Sequence, residues 1–380
     1  MTDAVAPFRI DVPQRDLDDL RDRLIRTRWP EAATVRDWSQ GVPLDKMRSL
    51  CDYWANRYDW RRCESMLNDL GQYRTNIDGL GVHFLHVRSP EPNALPMIMT
   101  HGWPGSVLEF VKLIGPLTDP VAHGGDAKDA FHLVLPSLPG YGFSDKPAEQ
   151  GWGPDRTAAA WATLMQRLGY DRWVAQGGDW GSVVTRVLGA NQAPGCLGIH
   201  LNLAFVPPIA DDMATLTPQE QAMLGKAKFY QDEGSGYAKE QSTRPQTLGY
   251  ALNDSPVGLA AWIYEKLQEW TDNDGDVASV LTVDEMLDNI TLYWLTGTAT
   301  SSARFYWENR VMPAGSEVVD LPTGITQFPG DILNASRRWV ERSYSNIIWW
   351  SEQTAGGHFA AWERPDIFAQ EVRNCFRQLR

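Results

Sequence analysis

The 380-residue chain is short of cysteine, has no long apolar run and carries no run of positive charge. Each shortage excludes something. Cys51, Cys63, Cys196 and Cys375 lie far apart with no CxxC pair, so a disulfide frame and a thiolate zinc site are ruled out. Reduced, packed thiols are expected instead. No stretch approaches the ~18 apolar residues of a membrane span. Residues 1–8 lack the basic start and apolar centre of a secretion signal. A soluble, cytoplasmic chain without a membrane anchor is therefore expected. Lysine and arginine total 35 against 48 aspartates and glutamates, a net charge of −13. Such a balance repels phosphate backbones and excludes nucleic acid as a partner. What is present is 43% hydrophobic and 22% charged residues, which excludes disorder, collagen and coiled coil. The 17 tryptophans suggest an aromatic-rich interior or pocket.

Residues 9 to about 75 are rich in Arg, Asp, Leu and Trp, poor in Gly, and read as helices with polar outer faces. From residue 80 the texture changes to short apolar runs ending in Gly/Pro turns. Met97–Thr100 runs into His101-Gly-Trp-Pro-Gly-Ser106, Phe131–Leu135 into Pro136-Ser-Leu-Pro-Gly-Tyr-Gly142, and Trp173–Gln176 into Gly177-Gly-Asp-Trp-Gly181. Ile199–Leu203 is a fourth such run, and Arg156–Leu168 between the second and third is a helix pattern. Buried strands alternating with helices imply an α/β chain with a mainly parallel sheet covered on both faces. Ligand sites of such sheets lie past the carboxyl ends of the strands, where these turns fall. The pattern lapses over a mostly helical stretch from about 206 to 315, then resumes at Pro322–Phe328 and Asn346–Ser351. The expected organisation is an N-terminal wrapping segment (1–78), a core (79–205 and 316–380) and an inserted helical lid (206–315).

Gly177-Gly-Asp179-Trp-Gly181 follows an apolar strand and precedes a helix pattern. Small residues around a central polar one permit the sharp strand-to-helix turn of a nucleophile elbow. Esterases place Ser at its centre. This chain has Asp179, and G-x-S-x-G occurs nowhere in it. A carboxylate displaces a leaving group from a saturated carbon to form an ester, which does not suit peptide or ester cleavage. By itself, an Asp in a Gly-rich turn need be no more than a turn residue. The loop at His101-Gly-Trp-Pro-Gly105 lies where an α/β-hydrolase places its second oxyanion N–H, so the backbone N–H groups of Trp103 and Trp180 are expected to converge on the carbonyl oxygen of Asp179.

Of the seven histidines, His83, His86, His132 and His200 lie in strand-like runs and read as packing residues, satisfied in the core where buried. His123 sits in a polar loop, and His101 is a structural member of its motif. His358 differs. It stands in a Gly loop, Ala355-Gly-Gly-His-Phe, after the last strand and before a helix, the place of a general base in a triad of this order. The acid that orients it should follow the preceding strand. Asp331, in Phe328-Pro-Gly-Asp331, fits better than Asp320, Glu341 or Glu352.

The chain resembles epoxide hydrolases of the microsomal type, within the α/β-hydrolase superfamily, over nearly its whole length. The likeness rests on His101-Gly-Trp-Pro, Leu138-Pro-Gly-Tyr-Gly-Phe-Ser144, Gly178-Asp-Trp-Gly, Leu252-Asn-Asp-Ser-Pro-Val-Gly-Leu-Ala-Ala261, Arg304-Phe-Tyr-Trp-Glu-Asn309 and Gly356-Gly-His-Phe-Ala-Ala361. It implies that two lid tyrosines hold and protonate the epoxide oxygen. The matching positions are Tyr237 and Tyr306, with Tyr264 and Tyr293 as decoys. It also implies that residues 9 to about 75 wrap the core and lid. Mammalian members carry Glu where this chain has Asp331, and begin with a membrane anchor that is absent here.

The expected activity is opening of an epoxide to a vicinal diol. Asp179 would form a covalent ester, which a water activated by His358 and Asp331 would hydrolyse. No cofactor and no metal are expected. The expected partners are a small-molecule epoxide and water, and a homodimer is compatible with the sequence. Two rivals stand beside this: a haloalkane dehalogenase with the same nucleophile, and a silent α/β-hydrolase fold serving as a binding module. Detoxification and antibiotic biosynthesis are both open as the setting.

Overall fold

The computed structural model describes residues 3–204, 206–309 and 318–380. Nine strands form one sheet: β1 Ala6–Pro7, β2 Gln72–Ile77, β3 Leu80–Val87, β4 Leu95–Thr100, β5 Phe131–Pro136, β6 Trp173–Gly177, β7 Cys196–Leu201, β8 Thr323–Gln327 and β9 Ile347–Glu352. Their spatial order is β1-β2-β3-β5-β4-β6-β7-β8-β9. The pairs from β1 through β3 to β5 are antiparallel, and all those from β5 to β9 are parallel. This is the expected α/β architecture, and every strand-like run from residue 80 onward lies in a strand.

The strand order fixes where a site can form. After β4 the chain adds β5 on one side, then crosses back to lay β6 on the other. Consecutive connections therefore diverge at β4 and β6, leaving a crevice past their carboxyl ends. The loop from His101 leaves β4, and Asp179 leaves β6, so both motifs open into that crevice. The helix Pro154–Arg167 covers the crossing, and its Trp161 indole N–H donates to Thr100 Oγ1 at the end of β4, 3.1 Å away.

The reading of residues 9 to about 75 as wholly helical needs correction. Three helices are present, Gln14–Ile25, Leu44–Asn56 and Trp60–Asp69, but Gln72–Ile77 is a strand. Gln72, Thr75 and Ile77 are buried in it, and it pairs with β3 through a tight hairpin. Asp78 and Gly79 both take positive φ, 53° and 82°, the geometry that an Asp-Gly pair supplies to a two-residue turn.

Between β7 and β8 lie the helices of the insertion, among them Pro218–Phe229, Gly236–Thr243, Pro256–Trp270, Val283–Thr296 and Ala299–Glu308. The ends read for this segment, at 205/206 and 315/316, involve residues 205 and 310–317, which lie outside the described residues. The N-terminal helices grip the Val283–Thr296 helix: Arg62 and Tyr58 bond the Asp288 carboxylate at 2.7 Å, and Trp54 donates to Thr291 Oγ1 at 2.9 Å. That helix in turn holds the loop after β4. Asn289 donates to the Pro104 carbonyl at 2.7 Å and accepts from Ser106 Oγ at 2.8 Å. Among the described residues no helix is long and apolar enough to cross a membrane.

Candidate active site

Asp179 occupies a strained backbone position, φ 49° and ψ −128°, between the end of β6 and the helix Trp180–Ala190. A non-glycine residue there costs of order 1–3 kcal/mol and persists only where its surroundings hold it. The surroundings are glycines because nothing larger fits. A Cβ on Gly181 would lie 1.8 Å from the Thr100 carbonyl oxygen, and one on Gly102 would lie 2.1 Å from Asp179 Oδ1. The turn thus presses the carboxylate against the neighbouring loop, where the Trp103 N–H donates to Asp179 Oδ1 at 2.8 Å. Trp180 opens the helix, so its N–H is one of the first-turn donors without an acceptor in the helix. The positive end of that helix faces the same carboxylate.

His358 completes the arrangement. Its Nε2 stands 3.3 Å from Asp179 Oδ2, and its Nδ1 2.7 Å from Asp331 Oδ1. Burial pushes the imidazole pKa down, but the charge of Asp331 and the bonds to both carboxylates more than offset this, and it ends well above its usual value. The loop carrying His358 is fixed by its backbone: the His358 N–H donates to the Trp270 carbonyl at 2.8 Å. The Glu363 carboxylate accepts from the N–H groups of Gly357 and Phe359, each at 3.0 Å. Asp320, Glu341 and Glu352 play no part in this cluster; they bond Ser345, Arg337 and Gln219 respectively.

Tyr237 and Tyr306 lie over the carboxylate in an aromatic box. The Tyr237 ring stacks on Trp103 at 4.9 Å, and Tyr306 stands edge-on to Trp180 at 4.8 Å and to Tyr237 at 5.8 Å. Burial raises both phenol pKa values well above normal, with the nearby Asp179 charge adding to the effect. The decoys sit elsewhere. Tyr264 packs on Trp38, and Tyr293 donates to the Gly105 carbonyl at 2.8 Å, steadying the loop after β4.

His101 is neutral, its pKa lowered to about 4 by burial, and its Nε2 accepts from the Leu138 N–H at 3.2 Å. That is the structural role expected of it. His200 departs from expectation: Nε2 bonds Thr326 Oγ1 at 3.0 Å, but the buried Nδ1 has no partner. The rings of Phe368 and Phe376 stand edge-on to it, at 6.1 and 6.3 Å.

Two further residues belong to the site. Glu109 is buried, with its carboxyl pKa pushed up to about 8 by that burial. With Asp179, Asn202 and His358 it lines a cavity of about 10 Å³, room for about one water. Its signal in the sequence was a lone carboxylate inside Val107-Leu-Glu-Phe110. Tyr230 brings its Oη within 2.9 Å of Tyr237 Oη. Only its place seven residues before Tyr237 hinted at it.

The epoxide hydrolase N-terminus family matches residues 5–110, and the alpha/beta hydrolase fold family matches residues 96–246. The pig (Sus scrofa) epoxide hydrolase 1 is 37% identical, over 98% of this chain and 88% of its own. The chain belongs to the epoxide hydrolase family. A provisionally named epoxide hydrolase from Stigmatella aurantiaca is 60% identical over 99% of this chain and 86% of its own. The structure of the Aspergillus niger epoxide hydrolase superposes with a TM-score of 0.89 at 32% identity, covering 99% of this chain and 97% of that one. Membership of that family fits an elbow that carries Asp179 and no serine.

Proposed function

We propose that this epoxide hydrolase turns over its substrate in two half-reactions centred on Asp179. In the first, Asp179 Oδ2 attacks an oxirane carbon while the Trp103 N–H keeps Oδ1 in place. The carbon–oxygen bond breaks, and the departing oxygen takes a proton from the lid phenols Tyr237 and Tyr306. Oδ1 then becomes the carbonyl oxygen of the ester, already at its donor. In the second, His358 Nε2 removes a proton from a water that attacks the Asp179 carboxyl carbon. The cavity walled by Asp179, His358 and Glu109 is the natural place for that water. The N–H groups of Trp103 and Trp180 hold the tetrahedral oxyanion and Asp331 steadies the imidazolium. On collapse the ester oxygen leaves the carboxyl carbon and takes the proton from His358 Nε2 to complete the diol, and the Asp179 carboxyl gives up its own proton to return to carboxylate.

The observation that carries this reading is the clamping of one imidazole between Asp179 and Asp331, with a backbone N–H on the far oxygen of Asp179. The N-terminal segment, core and lid divide the labour accordingly: the core supplies triad and oxyanion donors, the lid supplies phenols, and the N-terminal helices brace the lid. One copy carries all these groups, so the reaction needs no second chain. The four cysteines, all buried and free, suit a cytoplasmic setting. A bulky or aromatic epoxide suits the aromatic walls beside Asp179, where Tyr237 and Tyr306 pack on Trp103 and Trp180.

The test separates the half-reactions. With styrene oxide, His358→Gln should gain one substrate mass on Asp179, read by intact mass and peptide mapping, and release no diol. Asp179→Asn should gain nothing. An unmodified His358→Gln protein that still makes diol would point instead to direct attack by water.

A further inference from the structure

Deepening the tyrosine role just proposed, on which it rests, we propose that Tyr230 relays protons to Tyr237. Its O–H restores the phenol after Tyr237 has given its own proton to the opening ring. The two phenol oxygens are 2.9 Å apart. A tyrosine has one O–H to donate. When Tyr237 spends that hydrogen on the substrate oxygen, its own oxygen can only accept, and Tyr230 is placed to donate to it. The chain then runs one way, from Tyr230 through Tyr237 to the substrate, and each donation polarises the next.

Burial makes such a relay necessary. Tyr237 and Tyr306 are 5% and 7% exposed, so a phenolate left on either has little access to water. Tyr230 is only half-buried and forms the wet end of the pair. The 2.9 Å contact lets the Tyr230 O–H turn toward a Tyr237 phenolate and hand over its proton, and burial raises both phenol pKa values. A buried cation favours the transient charge: Lys266 Nζ lies 5.1 Å from the centre of the Tyr237 ring. Tyr230 opens a π-helical turn, Tyr230–Gly234, set between the helices Pro218–Phe229 and Gly236–Thr243. Such turns are rare and often stand at functional sites.

The protons balance. The Tyr237 O–H breaks as the new O–H of the substrate forms, the Tyr230 proton completes Tyr237, and solvent replaces it at Tyr230. Ring opening takes up this one proton, and ester hydrolysis, which leaves a carboxylate and an alcohol, returns one.

The test is a double-mutant cycle on Tyr230→Phe and Tyr237→Phe, with styrene oxide and alkylation followed by tryptophan quenching in single turnover. Tyr230→Phe keeps the ring and should slow alkylation about tenfold, the order set by one hydrogen bond. Its solvent deuterium isotope effect on that step should fall, while diol release from the alkylated protein is unchanged. On the Tyr237→Phe background the same change should add nothing, because the relay has no receiver. Full-speed alkylation in Tyr230→Phe beside a slow Tyr237→Phe overturns the relay alone. So does an equal slowing on both backgrounds, or a slowing of both half-reactions, which marks a packing role. A Tyr237→Phe protein that alkylates at full speed overturns the tyrosine reading, and the relay with it.

Discussion

His358 Nε2 stands 3.3 Å from Asp179 Oδ2, so the imidazole faces the elbow carboxylate directly. With Asp331 on its other nitrogen, the two carboxylates raise the imidazole pKa well above its usual value despite its burial. If Asp179 is esterified as proposed, one of the two charges that stabilise the imidazolium is lost, and the imidazole pKa falls at the stage when a water must be deprotonated.

Asp179→Asn copies the loss of charge that esterification brings. The His358 pKa, followed by NMR, should therefore be lower in Asp179→Asn than in the wild type, since removing a negative neighbour disfavours the cation. An unchanged or higher value would falsify the coupling.

Tyr237→Phe and Tyr306→Phe should each slow alkylation by about a hundredfold, the ~3 kcal/mol typical of losing one donor to a developing oxyanion. The double variant should be close to inert. Tyr264→Phe serves as the control, because that ring packs on Trp38 away from the carboxylate. Stopped-flow alkylation rates decide the matter, and a larger effect at Tyr264 would move the assignment.

Glu109 should govern the alkaline side of ester hydrolysis. Its raised pKa of about 8 leaves the carboxyl neutral below that pH and charged above it. Glu109→Gln mimics the neutral form, so diol release near pH 7 should match the wild type while the inflection near pH 8 disappears. If the inflection survives in single-turnover profiles, another group owns it.

Arg62→Ala should destabilise the fold through Asp288, whose side chain is 5% exposed and whose bonds come from Arg62 and Tyr58. Breaking a fully buried pair costs roughly 3–5 kcal/mol. Arg62 is 45% exposed, so a loss of ~2 kcal/mol in urea unfolding is expected after screening. Adding Asp288→Asn should recover part of it, because no charge is then left buried. No recovery would mean that Arg62 contributes by packing.

Much of this protein was determined by short stretches of sequence. Gly177-Gly-Asp-Trp-Gly181 announces its turn in one window, between a strand and a helix, although the atoms that exclude a Cβ at Gly178 and Gly181 belong to Asn202 and Thr100. The same holds for the parallel strands, whose apolar runs end where the sheet ends. The places of Asp331 and His358 at strand ends were legible because each lies in a Gly-containing turn, whereas Tyr237 and Tyr306 were singled out only by the family resemblance. Locality also explains the error at Gln72–Ile77. That strand has too little apolar content to declare itself, and only pairing with β3 makes it one.

Tertiary structure decided which side chains meet. The crossing that puts β4 between β5 and β6 brings the Trp103 N–H onto Asp179, and no window of sequence contains both. Glu109 read as one acid in an apolar stretch, and its raised pKa arises only from burial beside Asp179 and His358. Tyr230 and Tyr237 are near in sequence, yet their contact depends on the π-helical turn between two helices of the insertion. Backbone preference is set by neighbours along the chain, so sequence could fix the turns. Burial, charge and proton affinity are set by neighbours in space, and these required the fold.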